Sequence, residues 1–206
     1  MPDFDDLPFY SRPDLTPFLI HLTKNTEKLN ERSAFDNLVN ILKTGKICGS
    51  SSERGFIKGQ RKAVCFMDVP FPSLKYILTP ENTNQEKPRY EPYGIVLTKR
   101  LAYKNGCRPV LYLSNDEVNA LSIPKEELWR VVRLEVKEDN WICWVHEREW
   151  RCVEYFKLPK KIYAVLVRDT KYAKKLREMI NQSPDSFKCT PASILPLTII
   201  SQGLLK

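Results

Sequence analysis

The stretch WVHEREWRC, residues 144–152, sets the terms for the whole chain. A helix would scatter its two glutamates. Read instead as a strand, it places Glu147 and Glu149 on one face and His146, Arg148 and Trp150 on the other. Two carboxylates so placed stand about 7 Å apart, either as a solvated edge or as a working pair. The longer run WICWVHEREWRCVEYF is strand-like throughout, and KIYAVLV after it is apolar and β-branched. Upstream, PFLIHLT (17–23), AVCFMDV (63–69), YGIVLTK and RPVLYLS also read as strands, and PLTIIS reads as a closing one.

Helices interleave with these strands. SAFDNLVNILKTG (33–45) carries a capping box, Ser33 with Asp36, and an apolar face of Phe35, Leu38, Val39, Ile41 and Leu42, with Gly45 at the C′ position. Ser114 and Glu117 open a second helix with the same device, and TKYAKKLREMINQ is helical with Tyr172, Leu176, Met179 and Ile180 on one face. PSLKYIL reads as a short helix, and residues 125–137 fit a helix as well as a strand. Strands often adjacent and antiparallel, with helices between them, make the class α+β. The 206 residues, 42% of them hydrophobic, suit a single domain with a sizeable core. Residues 1–16 form an irregular lead-in, and the polar, proline-bearing stretch 79–92 is expected as a mobile loop that covers or carries a site.

Composition narrows the functions. The net charge is +8; the first fifteen residues hold four Asp against one Arg, so the remainder carries +11. A basic body steers polyanions and phosphate-bearing ligands. With no run of 18 apolar residues and no basic-then-apolar leader, the chain is expected to be cytoplasmic and free of membranes. Six cysteines without a CxxC pair read as reduced thiols, and no metal site is expected. G-x-S-x-G, the P-loop, G-x-G-x-x-G and H-E-x-x-H are all missing, which argues against phosphoryl transfer and Rossmann-type hydride transfer.

What remains is a constellation: His21 in FLIHLTK, then CFMDVP, RYEPYG and HEREWR. Alternation puts Phe18, Ile20 and Leu22 on one face of the first strand, and Leu19, His21 and Thr23 on the other. Together with NLVNILKTGKICGS, YGIVLTK and RPVLYLS, these segments resemble the AbiGi-type abortive-infection proteins and, more distantly, the DarT group of ADP-ribosyltransferases. The resemblance runs through most of residues 17–200. It implies split antiparallel sheets with flanking helices, an ADP-ribosyltransferase-like fold with NAD as substrate. It also implies a toxin or phage-defence effector, an acceptor that is a nucleic acid or a protein, and an antitoxin partner.

Carried onto this chain, the resemblance gives His21 the nicotinamide ribose, with Thr23 beside it. Tyr93 stacks on nicotinamide, with Tyr90 and Tyr103 as alternatives. Glu149 binds the ribose 2′-hydroxyl, and Glu147 engages the acceptor. Arg54 and Arg61 suit the pyrophosphate or are solvated surface charge. His146 points away from the pair. The chemistry agrees: breaking the nicotinamide–ribose bond builds positive charge on the sugar, which a fixed carboxylate stabilises.

Three other readings stand beside this one. EREWR as structure has Trp150 packed inward, Arg151 paired to a carboxylate and Glu147 exposed. An inactive scaffold of the same fold would serve as an antitoxin or regulatory binding module. A small nucleic-acid-binding protein is the weakest, because the aromatics are not interleaved with Lys and Arg as stacking platforms require.

Overall fold

The computed structural model describes residues 12–26, 32–51, 57–83, 88–138 and 140–201. Along the chain run β1 (Phe18–Leu22), α1 (Ala34–Thr44), β2 (Lys46–Cys48), β3 (Ala63–Met67), a 3-10 turn (Phe71–Tyr76), β4 (Gly94–Thr98) and α2 (Lys99–Lys104). They are followed by β5 (Arg108–Pro109), β6 (Leu111–Leu113), α3 (Asn115–Ala120), a 3-10 turn (Lys125–Arg130), β7 (Val131–Arg133), β8 (Glu135–Lys137) and β9 (Asn140–Ile142). A third 3-10 turn (Val145–Glu147) precedes β10 (Glu149–Val153), β11 (Tyr155–Lys157), β12 (Lys161–Val167), α4 (Thr170–Gln182), β13 (Thr190–Pro196) and α5 (Leu197–Ser201). The class is α+β, with mostly antiparallel strand pairs. Two compact units are formed: Met1–Lys46, Val69–Lys99 and Leu158–Lys206 in the first, Ile47–Asp68 and Arg100–Lys157 in the second.

In the first unit the strand order is β13-β12-β4-β1. β1 and β12 both run antiparallel to β4, with Ile20 opposite Val96 and His21 opposite Ile95. The alternation of FLIHL holds: Ile20 joins Leu74, Leu78, Val96, Ala164, Leu166 and Leu197 in one buried cluster, and Phe18 and Leu22 pack against it. β12 and β13 are parallel, joined through α4 as a β-α-β crossover. α1 begins where expected, with the Asp36 N–H donating to Ser33 Oγ and the Ser33 hydroxyl donating to Asp36 Oδ2. It ends at Gly45, whose φ of 65° is the left-handed turn that glycine adopts without strain.

The backbones of β1 and β4 approach so closely that a Cβ on Gly94 would lie 2.6 Å from the His21 carbonyl oxygen. Backbone cannot yield there as a side chain can. Gly94→Ala is expected to cost about 1–3 kcal/mol, read as a lower urea midpoint at unchanged slope.

The second unit carries the order β3-β10-β5, a parallel pair β6–β7 and a hairpin β8–β9. Phe66 and Phe156 meet edge to face at 5.5 Å, and Trp129 packs with Ile57 and Ala63.

Three expectations change, and one segment left open between helix and strand is resolved. WVHEREWRC is not one strand: residues 145–147 form a 3-10 turn and Arg148 is left-handed at φ 43°, so β10 starts only at Glu149. The bend has a cause. Arg148 Nε donates to the Asp68 carbonyl at 2.7 Å and the Asp68 N–H donates to the Glu147 carbonyl, tying the turn to the chain just after β3. Glu147 and Glu149 therefore do not share a strand face. RPVLYLS also splits, because the Val110 N–H donates to Glu149 O while Leu111–Leu113 turns to pair with β7. Residues 125–137 resolve as a 3-10 turn followed by two short strands. PLTIIS is helical from Leu197, where the Thr198 N–H donates to Arg168 O. In the 79–92 stretch, Asn82 links both described sides: its side chain donates to Ile77 O, and its carbonyl accepts from the Arg89 and Tyr90 N–H groups.

Candidate active site

β10 presents alternate residues to one side, and there Glu149 and Arg151 meet. Arg151 Nε donates to Glu149 Oε1 at 2.8 Å and Nη2 to Oε2 at 3.2 Å, a two-pronged pair with residue exposures of 2% and 8%. Nη1 of Arg151 donates to the Trp129 carbonyl at 2.7 Å and reaches that of Val131 at 3.3 Å. Burial pulls the guanidinium pKa down, but the Glu149 charge and hydrogen bonds outweigh it and hold it above its ordinary value. The carboxylate is thus fixed in place and orientation by a neighbour two residues away. Each Glu149 oxygen gives Arg151 one bond and keeps acceptor capacity.

Two further side chains complete the group. The Glu149 N–H donates to Tyr112 Oη at 2.9 Å. Burial foremost, then the charges of Glu149 and Glu147, push the Tyr112 phenol up to about 12, against the opposing effects of that N–H and of Arg151. Cys65 sits opposite Arg151 across the β3–β10 ladder, its thiol pushed up by burial first and by the Glu149 charge second. Glu147 is half-buried in the turn before the strand, and His146 is exposed, its ring 5.9 Å from that of Trp144.

Of the expected phosphate-binding arginines, Arg61 is half-buried with Glu154 at 3.8 Å, and Arg54 lies outside the described residues. In the first unit, His21 is half-buried on the face of β1 that also carries Leu19. Thr23 and Tyr93 are brought together: the Thr23 N–H donates to the Tyr93 carbonyl at 2.8 Å. The Thr23 hydroxyl is directed at the carbonyls of Ala34 and Tyr93, at 2.9 and 3.2 Å. Thr23 therefore positions Tyr93 through its backbone. The Tyr93 ring packs edge-on against Phe35 and Tyr172, at 5.7 and 5.2 Å. Burial, then a hydrogen bond with Tyr172, holds its phenol above the usual range. Tyr90 packs on the opposite cluster, around Ile20, with Arg89 over its ring, and Tyr103 is exposed beneath Arg108.

Arg151 entered the sequence reading only as part of a structural alternative, and Tyr112 and Cys65 did not enter it. The spacing of Glu149 and Arg151 was the one available signal, since i and i+2 share a strand face. Nothing in LYL or AVCFM marks the other two.

Buried thiols give the protein an alkaline limit. Cys189 is fully buried, which pushes its thiol from 9.0 up to about 11. In the unfolded chain it ionises first, so between those values the unfolded state holds fewer protons. Stability is then fully present below about pH 9 and falls as pH rises towards about 11. Urea midpoints at about pH 8 and about pH 10 should show the drop, and Cys189→Ala should reduce it.

No protein-family model matches the chain, and no curated protein matches it. Three solved structures are similar to it. The Thermus sp. 2.9 DarT in complex with NAD+ is 16% identical over 86% of this chain and 94% of its own, with a TM-score of 0.48. The same protein with carba-NAD+ is 15% identical over 87% and 95%, with a TM-score of 0.47. With ADP-ribosylated ssDNA it is 15% identical over 87% of this chain and 93% of its own, again with a TM-score of 0.47.

Proposed function

We propose that this protein is an NAD-dependent ADP-ribosyltransferase, an effector of the toxin or phage-defence kind, acting on a nucleic acid or a protein. One observation carries the reading: the glutamate that the motif resemblance selects, Glu149, is a buried carboxylate held at both oxygens by Arg151, while its backbone N–H donates to Tyr112 Oη. Preorganisation of this sort favours the charge that develops in a transition state over the ground state. In the proposed reaction the bond between ribose C1′ and the nicotinamide nitrogen breaks, and its electron pair goes to the pyridinium ring. Positive charge grows on the ribose, where Glu149 accepts from the 2′-hydroxyl and opposes that charge. An acceptor oxygen or nitrogen then attacks C1′ and gives its proton to Glu147.

His21 is assigned to the nicotinamide ribose and Tyr93 to the nicotinamide ring, with Thr23 setting the backbone of Tyr93. Arg61 and Arg54 are assigned to the pyrophosphate. Nucleic acid is the preferred acceptor class, because the chain beyond its first fifteen residues carries +11. A defence role with a neutralising partner rests on the AbiGi-type resemblance.

A second reading is favoured by a specific observation: Arg151 engages both oxygens of Glu149, as a purely structural pair would. On that reading the chain is an inactive scaffold serving as an antitoxin or regulatory module. One experiment separates the two. Purified protein is incubated with NAD carrying a labelled adenylate, with and without a total cell extract, and free nicotinamide and label on the DNA, RNA and protein fractions are measured. Nicotinamide release and a labelled fraction support the transferase. A folded protein that releases none and is not stabilised by NAD supports the scaffold.

A further inference from the structure

On β10, Glu149 and Arg151 share one face, and Cys152 turns to the other with Trp150. β5 runs antiparallel to β10, with Trp150 opposite Pro109 and Arg151 opposite Arg108. One step further along the same register sets Cys152 opposite Cys107. The kind of pair follows from the ladder. The Val110 N–H donates to the Glu149 carbonyl, so 149 with 110 and 151 with 108 are the hydrogen-bonded pairs. Cys152 and Cys107 therefore form a non-hydrogen-bonded pair, the closer kind, with Cα atoms about 4.5 Å apart. A disulfide spans that separation, and both side chains leave the same face of the pair.

The side chains meet as the register requires. The two thiols hydrogen-bond each other, and Cys152 Sγ lies 3.5 Å from the carbonyl oxygens of Asn105 and Tyr155. Both are free and buried, Cys107 at 0% and Cys152 at 4% exposure. Cys65 cannot compete, because it stands opposite Arg151 on the other face of β10. The cover over the pair is thin. β5 is two residues long and ends its strand order, and the turn before it, Asn105–Gly106, is exposed. A short edge strand opens locally at little cost, which admits a small solute.

We propose that Cys107 and Cys152 are an oxidation site at which hydrogen peroxide closes a reversible disulfide between β5 and β10. Cys152, the one with exposed surface, attacks a peroxide oxygen; the O–O bond breaks, giving a sulfenic acid and water. The Cys107 sulfur then attacks the sulfenic sulfur, the S–O bond breaks, and a second water leaves as the S–S bond forms. Two thiols are oxidised, one peroxide is reduced to two waters, and both thiol protons end on those oxygens. The bridge closes a loop, residues 107–152, that contains Tyr112, Trp129, Glu149 and Arg151. Oxidation thus staples the frame of the buried ion pair from the face that pair does not use. A dithiol reverses it by exchange.

The test treats the full, folded chain with hydrogen peroxide, blocks remaining thiols, and maps the non-reduced peptides by mass spectrometry. A linked pair of peptides carrying Cys107 and Cys152, lighter by two hydrogen atoms and separated by dithiothreitol, is expected. The oxidised protein should melt roughly 5–10 °C higher than the reduced one, and dithiothreitol should abolish the rise. Cys107→Ala and Cys152→Ala should each lose this peroxide-dependent rise, and Cys48→Ala, at an exposed thiol, should keep it. The peptide map on the wild-type chain decides the matter even where a variant fails to fold. The proposal is overturned by a folded protein in which both thiols stay reduced after Cys48 has oxidised. A sulfinic acid at Cys152 without the bridge, linkage of either residue to another cysteine, or a bridge that forms only in urea would also overturn it.

Discussion

Glu149→Gln is expected to lower nicotinamide release by about 10²–10³-fold, the scale on which loss of one preorganised electrostatic contact acts. The substitution keeps the shape of the side chain and one carbonyl acceptor for Arg151, but removes the charge that opposes the ribose cation. Arg151 retains its bonds to the Trp129 and Val131 carbonyls, so the variant should fold with reduced stability. Single-turnover rates with labelled NAD, beside a circular dichroism melt, separate a chemical defect from a folding one. Glu147→Gln makes a contrast: it should spare hydrolysis of NAD by water and depress labelling of the acceptor. A Glu149→Gln protein as fast as wild type would remove Glu149 from the mechanism.

Arg151→Met should lose more stability than Glu149→Gln or Gly94→Ala. It strands the Glu149 carboxylate at 8% exposure without a counter-charge and withdraws the donor shared by two backbone carbonyls. Breaking a buried pair from one side costs about 3–5 kcal/mol, a large part of the total stability of a typical domain, and should lower Tm by roughly 10 °C. Replacing both partners, as in Glu149→Leu with Arg151→Met, removes the uncompensated charge and should recover most of that loss. Differential scanning calorimetry of the single and double variants tests the point. If Arg151→Met melts with the wild type, the pair is not coupled as its geometry implies. The double variant should be stable and inactive, so stability and turnover part company at this site.

The features legible in the residues were local ones. Ser33, Asp36 and Gly45 delimit α1 because capping and left-handed turns depend on a few neighbouring atoms. The apolar face of FLIHL is read correctly because alternation in a strand is a property of the strand itself. What escaped depends on distant partners. Strand-like composition continues through 144–152, yet Arg148 finds the Asp68 carbonyl, eighty positions earlier, and the chain turns there. RPVLYLS is one apolar run, but its two halves pair with different strands, β10 and β7. Tyr112 reaches the site only because β6 brings its hydroxyl to the Glu149 amide. Glu149 and Arg151 share a face by spacing alone. That they bind each other, and are buried while doing so, depends on Trp129, Val131 and Cys65, which a reading of HEREWR does not contain.

The two-residue separation of Glu149 and Arg151 also bears on how the chain reaches its fold. A buried ion pair drawn from distant segments must wait for a long loop to close, and until then each charge resists entering the interior. Here the loop is as short as a strand allows. As soon as residues 149–151 become extended, anion and cation face one another, and the segment can leave water close to neutral before it has met β3 or β5. The most polar stretch of this interior is therefore spared the slowest kind of search, and folding rate should respond to it less than to the apolar ladder of Cys65 and Phe66 against which it docks.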